Sequence, residues 1–253
     1  MHEPLQSARL SDAHQNPTFA ADTHSLSSRR LNTLTTSALF AGLTRRDCIR
    51  VASYAMMRHF SYDKFLFIQG QAGNDFAMVH KGSVKLSQLC PNGNEVILWM
   101  AGPGELVGHP PFLSGGTRTC SARAMEQCEV LVWEHSRLQS LFEEIPQMIH
   151  NVGQIVSDRL VELQERFREV ATEKVDARVA LTLLRLLRTV GRPSRGGIEV
   201  LISRDELAQM TGAVECTVSR LLSKWEREGL VLSRRQSIIV LDAFRLSRNQ
   251  IRR

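Results

Sequence analysis

The period of the apolar residues changes along the 253-residue chain, and that change constrains the fold more than any other feature. From about Phe60 to Glu134, short apolar runs alternate with glycine-marked turns, as in FLFIQG, AMVHKGSVKLSQL, PNGNEVILWMAGPG and CEVLVWE. Alternation such as Val84 and Leu86, with aromatic and β-branched content, argues for strands. Pro91-Asn92-Gly93-Asn94 sits between two such runs and reads as a hairpin turn. Many short strands with frequent turns predict a small antiparallel barrel or jelly roll. From Ile145 to about Val175 the period is helical. Val156, Leu160, Leu163, Phe167 and Val170 recur at steps of 4, 3, 4 and 3, a heptad seam flanked by charged residues. Such a helix either packs on its own barrel or pairs with a second copy.

Helical material also precedes the strands, in SALFAGLTRRDCIRVASYA from Ser37. After Val175 three helical segments follow. DARVALTLLRLLRTV is amphipathic, and RPSRGG reads as a loop. ISRDELAQMTG carries Ser203 with Glu206 three residues later, a capping box that starts a helix, and Gly212 ends it. ECTVSRLLSKWEREG forms the next helix and Gly229 closes it. The stretch LVLSRRQSIIVLD reads as two short strands joined at Arg234-Arg235-Gln236-Ser237. Two short helices joined by a tight Gly-containing turn make a helix-turn-helix unit.

Charge is unevenly placed. Residues 178–253 hold 15 Lys and Arg against 7 Asp and Glu, a net of +8, while the rest of the chain holds 17 against 19. A localised basic module suits phosphate backbones, where displaced counterions drive affinity. Leu207 and Met210 of the first helix, and Val218, Leu221, Leu222 and Trp225 of the second, are spaced as core. The opposite face of the second helix presents Glu215, Cys216, Ser219, Arg220 and Arg227. The N-terminal part of such a helix enters the major groove, where Arg bonds guanine twice and Glu accepts from cytosine. Thr217 and Ser219 offer short hydroxyls to phosphates. The plainer alternative for Arg220 is a surface ion pair with Glu226 or Glu228.

The stretch ISRDELAQMTGAVECTVSRLLSKWEREGLV, with its TVSRLL core, capping Ser203 and Gly212 turn, resembles the helix-turn-helix of the catabolite activator and fumarate–nitrate regulator (Crp/Fnr) family. HKGSVKLSQLCPNGNEVILWMAGPGELVG resembles that family's cyclic-nucleotide-binding-like β-roll. The similarity runs from about Leu39 to Phe244. It implies an α+β fold: a tail over 1–34, expected to be disordered, then a sensor β-roll (jelly roll) over 35–144. A dimerisation helix over 145–174 and a winged helix-turn-helix over 175–253 complete it. It further implies a homodimeric transcription regulator on a palindromic site of double-stranded DNA, with RNA polymerase as partner. By the same match Arg220 falls on the family's base-reading arginine, with Thr217, Ser219 and Ser203 in the DNA-contacting segment. Cys216 stands where several members carry a base-reading Glu, and Glu215 lies one residue earlier, so the target sequence does not carry over.

Cyclic-nucleotide members hold the phosphate in a cassette that here reads Gly108-His109-Pro110, then Arg118-Thr119-Cys120. Arg118 and Thr119 keep the phosphate-binding character. His109 replaces the ribose-binding acid, and Pro110 and Pro111 offer no backbone N–H. On the long helix the base-contacting positions read Leu163 and Gln164, of which only Gln164 hydrogen-bonds. A cyclic nucleotide is therefore disfavoured as effector, and the effector stays unknown. Haem stays open through His109. An iron–sulfur cluster is not expected, because no cysteine precedes Cys48. The five cysteines lack CxxC spacing, so no disulfide framework or structural zinc is expected, and Cys120 and Cys128 are weak redox candidates. No Walker loop, nucleophile elbow or HExxH points to an enzyme. No apolar run reaches the ~18 residues of a membrane span, so a cytoplasmic protein is expected. A ligand-sensing module that binds protein partners instead of DNA is the competing class, and the C-terminal basic excess argues against it.

Overall fold

A computed structural model describes residues 35–108 and 116–248 of the chain. The expectation of a disordered tail over 1–34, and those for His109, Pro110 and Pro111, lie outside the described residues.

A 3-10 turn at Ala38–Phe40 and helix α1 (Arg45–Ser53) lead into the roll. Eight strands follow: β1 (Met56–Phe60), β2 (Phe65–Phe67), β3 (Asp75–Lys81), β4 (Val84–Leu89), β5 (Glu95–Ala101), β6 (Leu106–Val107), β7 (Ser121–Ala124) and β8 (Cys128–Glu134). They form two four-stranded antiparallel sheets, ordered β1-β8-β3-β6 and β2-β7-β4-β5. Period-two alternation builds two cores from one sheet. Ala77 and Val79 of β3, with Val130 and Val132 of β8, face the second sheet and meet Val84, Leu86, Ala122 and Ala124. Phe76, Met78, Leu131 and Trp133 face outward and are covered by Leu39, Phe40 and Val51, and by Leu138, Leu141 and Phe142 of helix α2 (His135–Glu144). Buried Trp133 donates its indole N–H to the Val51 carbonyl at 2.8 Å. The β4–β5 hairpin turns at Gly93, whose φ of 84° is easy only for glycine.

Helix α3 (Pro146–Thr172) opens with proline at its first turn, where a missing N–H costs nothing. Its start is pinned to the 3-10 turn ahead of the roll by Asn151, whose amide donates to the Leu39 and Ala41 carbonyls at 2.8 Å each. Its far end is pinned to helix α4 (Val175–Thr189) by a two-pronged Glu169–Arg185 pair at 2.7 and 2.9 Å.

The C-terminal unit adds β9 (Arg192–Ser194), β10 (Gly197–Val200), α5 (Arg204–Thr211), α6 (Glu215–Arg227), β11 (Val231–Ser233), β12 (Ile238–Val240) and α7 (Ala243–Arg248). Here the reading of RPSRGG as a loop is corrected: Arg192–Ser194 pairs with Gly197–Val200 as a hairpin. The wing sheet therefore has four strands, ordered β11-β12-β10-β9. Proline obscured the strand, but it sits on the sheet edge, where a lost donor is tolerated. The unit's core gathers Val179, Leu183, Leu186, Leu207, Val218, Leu222, Trp225 and Ile238, and it includes Ile97 and Met100 of β5. The roll and the C-terminal unit are thus packed together through one face of β5.

Candidate nucleic-acid interface and effector site

Helix α5 is capped as its sequence predicts. The Ser203 hydroxyl accepts from Glu206 N at 3.2 Å, and the Glu206 carboxylate accepts from Ser203 N at 2.9 Å. Gly212 turns the chain at φ 59°, a left-handed conformation suited to glycine. Helix α6 then leaves with Val218, Leu222 and Trp225 buried. Glu215, Cys216 and Arg220 are exposed on its outer face, and Thr217 and Ser219 are half-buried beside them.

Arg220 pairs with neither Glu226 nor Glu228. Glu226 accepts from Ser233 N at 3.2 Å, and Glu228 lies 3.9 Å from the Lys224 ammonium. Arg220 instead folds back one turn: Nε donates to the Cys216 carbonyl at 3.3 Å, and Nη2 approaches Cys216 Sγ at 3.6 Å. Its proximity holds the Cys216 thiol below the ordinary thiol range. Ser203, by contrast, spends its hydroxyl on the cap.

In the roll, the structure brings Gly108 and Arg118 together and leaves Gln164 apart. A Cβ on Gly108 would stand 3.3 Å from Arg118 Nη1. Gln164 is exposed on α3 and Thr119 is exposed at the roll's edge. Arg118 is only 6% exposed and donates to both the carboxylate and the backbone carbonyl of Asp75. It also stacks on Phe67, 4.1 Å from the ring centroid. Its Nε is buried without a partner. Burial lowers the pKa of this guanidinium.

A cavity of about 280 Å³ opens beside that cassette, between the β5–β6 turn and α3. Trp99, Glu105, Leu106, Asp158, Arg159 and Glu162 line it. Arg159 donates to the Leu106 carbonyl and lies 5.5 Å from the Trp99 ring centroid. Glu105 accepts from Gly102 N at 2.7 Å, and burial pushes its carboxyl above the usual range. Trp99 Nε1 is buried beside the Glu105 carboxyl and partly offsets the effect of burial on it. Sequence reasoning missed Trp99, Glu105 and Arg159. Arg159 is one of the charged residues that flank the heptad seam, and nothing local distinguishes the other two.

Comparison with known proteins agrees with this architecture. The Cyclic nucleotide-binding domain family matches residues 57–145, and the Crp-like helix-turn-helix domain family matches residues 177–248. The chain is 34% identical over 197 residues to the cyclic AMP receptor protein of Thermus thermophilus, covering 77% of this chain and 88% of that protein. It is 25% identical over 185 residues to a CRP-like cAMP-activated global transcriptional regulator of Mycobacterium tuberculosis, covering 72% and 83%. Among solved structures it is similar to the c-di-GMP responsive global regulator CLP of Xanthomonas campestris, with a TM-score of 0.67, 25% identity, and coverage of 79% and 100%. A β-roll joined by a long helix to a winged helix-turn-helix defines a class of ligand-governed DNA-binding proteins. Within that class, the chain belongs to the Crp/Fnr family of transcription regulators, with an effector-binding domain and a helix-turn-helix DNA-binding domain.

Proposed function

We propose that the chain works as a homodimer, reads a palindromic duplex through paired α6 helices, and tunes that reading to a small effector held between the roll and α3. The observation that carries the reading is Arg220: exposed, on the outer face of α6, and paired with no carboxylate among the described residues. Its fork is free to swing to the two acceptors of a guanine edge. Thr217 and Ser219 serve phosphates. Glu215 and Cys216 set the base preference beside Arg220. Dimerisation through α3 is supported by its outer stripe, where Leu160, Leu163, Phe167 and Val170 are exposed. RNA polymerase is the protein partner that a regulator of this kind would engage.

For the effector, relatives with this roll are named for cyclic AMP and for c-di-GMP. The residues here fit a cyclic phosphate poorly. Arg118 is already neutralised by Asp75. In the stretch that the family resemblance aligns with the phosphate cassette, Pro110 and Pro111 have no backbone N–H to offer an anion. The cavity at Trp99, Glu105 and Arg159 is the better seat, and its mix of one aromatic ring with charged side chains suits a small polar molecule.

Selection of a palindrome from random duplexes, followed by fluorescence anisotropy, tests the DNA reading. Arg220→Ala should cost about 1–3 kcal/mol and relax preference at one position per half-site. Unchanged affinity for the best site would overturn the assignment. Calorimetry with cyclic AMP and cyclic GMP, with an absorbance spectrum of the purified protein, tests the effector. Binding heat for either nucleotide, or a Soret band, would replace the effector assignment.

A further inference from the structure

Helix α5 precedes the reading helix, and charged side chains from elsewhere in the chain grip it at both ends. At its start, Glu206 divides its carboxylate. Oε2 accepts from Ser203 N at 2.9 Å and from the Ser203 hydroxyl at 3.0 Å. Oε1 accepts from Lys85 Nζ at 3.0 Å. Lys85 belongs to β4, its side chain is 5% exposed, and Glu95 of β5 lies 3.8 Å from the same ammonium. At the end of α5, the Met210 carbonyl accepts from Arg166 Nη2 at 3.4 Å. The same guanidinium, on α3, donates to the Leu98 carbonyl and reaches the Ile97 carbonyl at 3.4 Å.

Two features make these contacts more than packing. Among the described residues no carboxylate comes within 4 Å of Arg166; Glu162 and Glu169 attract it from farther away, and backbone carbonyls accept its hydrogen bonds. A partly buried charge held that way depends on its donors' directions, and the planar arginine fork supplies them. Strand β5 is also shaped for it. Leu86 opposes Trp99 while Ser87 opposes Ile97, which leaves Leu98 as the extra residue of a bulge. A bulge takes a residue out of regular pairing, and Arg166 meets the Leu98 carbonyl there.

We propose that Lys85 and Arg166 form a two-point clamp on α5 that fixes the angle at which α6 is presented to DNA. The proposal rests on α6 being the DNA-reading helix. Apolar contact through Ile97 and Met100 is non-directional and supplies adhesion. The charged contacts supply direction: one anchors the start of α5, the other its end. Desolvation offsets much of their Coulomb attraction, so they fix register more than they add stability. The outer face of α6 is exposed with the clamp closed, so the clamp leaves it accessible to DNA, and the proposal takes the closed clamp as the binding arrangement. Strand β5 and α3 also line the effector cavity, at Trp99 and at Asp158, Arg159 and Glu162. A ligand there acts on the two elements that carry Arg166 and its β5 anchor.

The test uses the full chain with Lys85→Met, Arg166→Gln, the double variant and the conservative Lys85→Arg. Affinity for the selected palindrome and for a random duplex is measured at fixed salt, alongside the thermal midpoint. Each single variant should weaken the palindrome roughly 10-fold, within the usual range of coupling between sites. Random-duplex affinity should hold within about 2-fold, as its phosphate contacts are untouched. The double variant should lose less than the two single losses combined, because both act through one helix. Lys85→Arg should retain wild-type selectivity. Unchanged or tighter palindrome binding would overturn the clamp, as would parallel loss of both duplexes and the midpoint. A wild-type chain that selected no duplex would instead overturn the DNA reading beneath it.

Discussion

Cys216 and Arg220 stand four residues apart on one exposed turn, and their pairing sets the chemistry of the outer face of α6, the proposed reading surface. The buried thiols behave in the opposite sense. Burial raises Cys48, Cys120 and Cys128 above the ordinary thiol range, whereas Arg220 draws Cys216 below it. The thiolate is the nucleophile, so Cys216 reacts at lower pH than a free thiol would, and faster than those three. Iodoacetamide labelling across a pH series, read by peptide mass mapping, should show this order, and the selected palindrome should protect Cys216. Labelling of Cys216 no faster than Cys120 would show that the pairing does not persist in solution. The sequence carried Arg220 and Cys216 to the same face through their helical spacing. The inward fold of Arg220 toward the sulfur depends on the absence of a competing carboxylate, which spacing alone does not reveal.

At the scale of elements, local patterns predicted most of what is local. The alternation of Val84 and Leu86 in β4, the capping box of α5 and the Gly212 turn all read directly. What stayed hidden depends on distant partners. Lys85 lies between Val84 and Leu86, and alternation places it on the face away from their core. It is buried because the C-terminal unit covers that face. Glu105 and Trp99 are cavity residues only because α3 passes over them. Gly102 belongs to the same seam. A Cβ there would fall inside van der Waals distance of the Thr189 carbonyl oxygen, at the end of α4. Backbone against backbone has little room to yield, so Gly102→Ala should destabilise the chain by about 1–3 kcal/mol through overpacking. Denaturant unfolding measures it. A stability equal to wild type would mean that the roll and the C-terminal unit are not held this close.

For the whole molecule, the decisive surface is the outer stripe of α3. Phe167 is 76% exposed, and Leu160, Leu163 and Val170 are each more than half exposed. These residues share one face at heptad spacing, while Arg159 and Arg166 beside the stripe and Asn151 and Glu169 farther round anchor the helix to its own chain. A contiguous apolar stripe on a helix already fixed to its own roll is left largely uncovered by the described residues, and a second copy supplies an identical one. Burying a large apolar side chain contributes roughly 1.5–3 kcal/mol, and two-fold symmetry counts every seam residue twice. Leu163→Asp combined with Phe167→Asp removes that burial and sets carboxylates against each other across the axis. Light scattering should then report half the wild-type mass. The thermal midpoint, concentration-dependent in the dimer, should become independent of concentration. Selectivity for the palindrome should collapse, because a lone α6 reads one half-site and loses the gain from linked sites. Random-duplex binding should persist more weakly, since each C-terminal unit keeps its basic excess. A variant that kept the wild-type mass would place the dimer contact elsewhere. One that became monomeric yet still selected the palindrome would show that each chain reads its half-site independently.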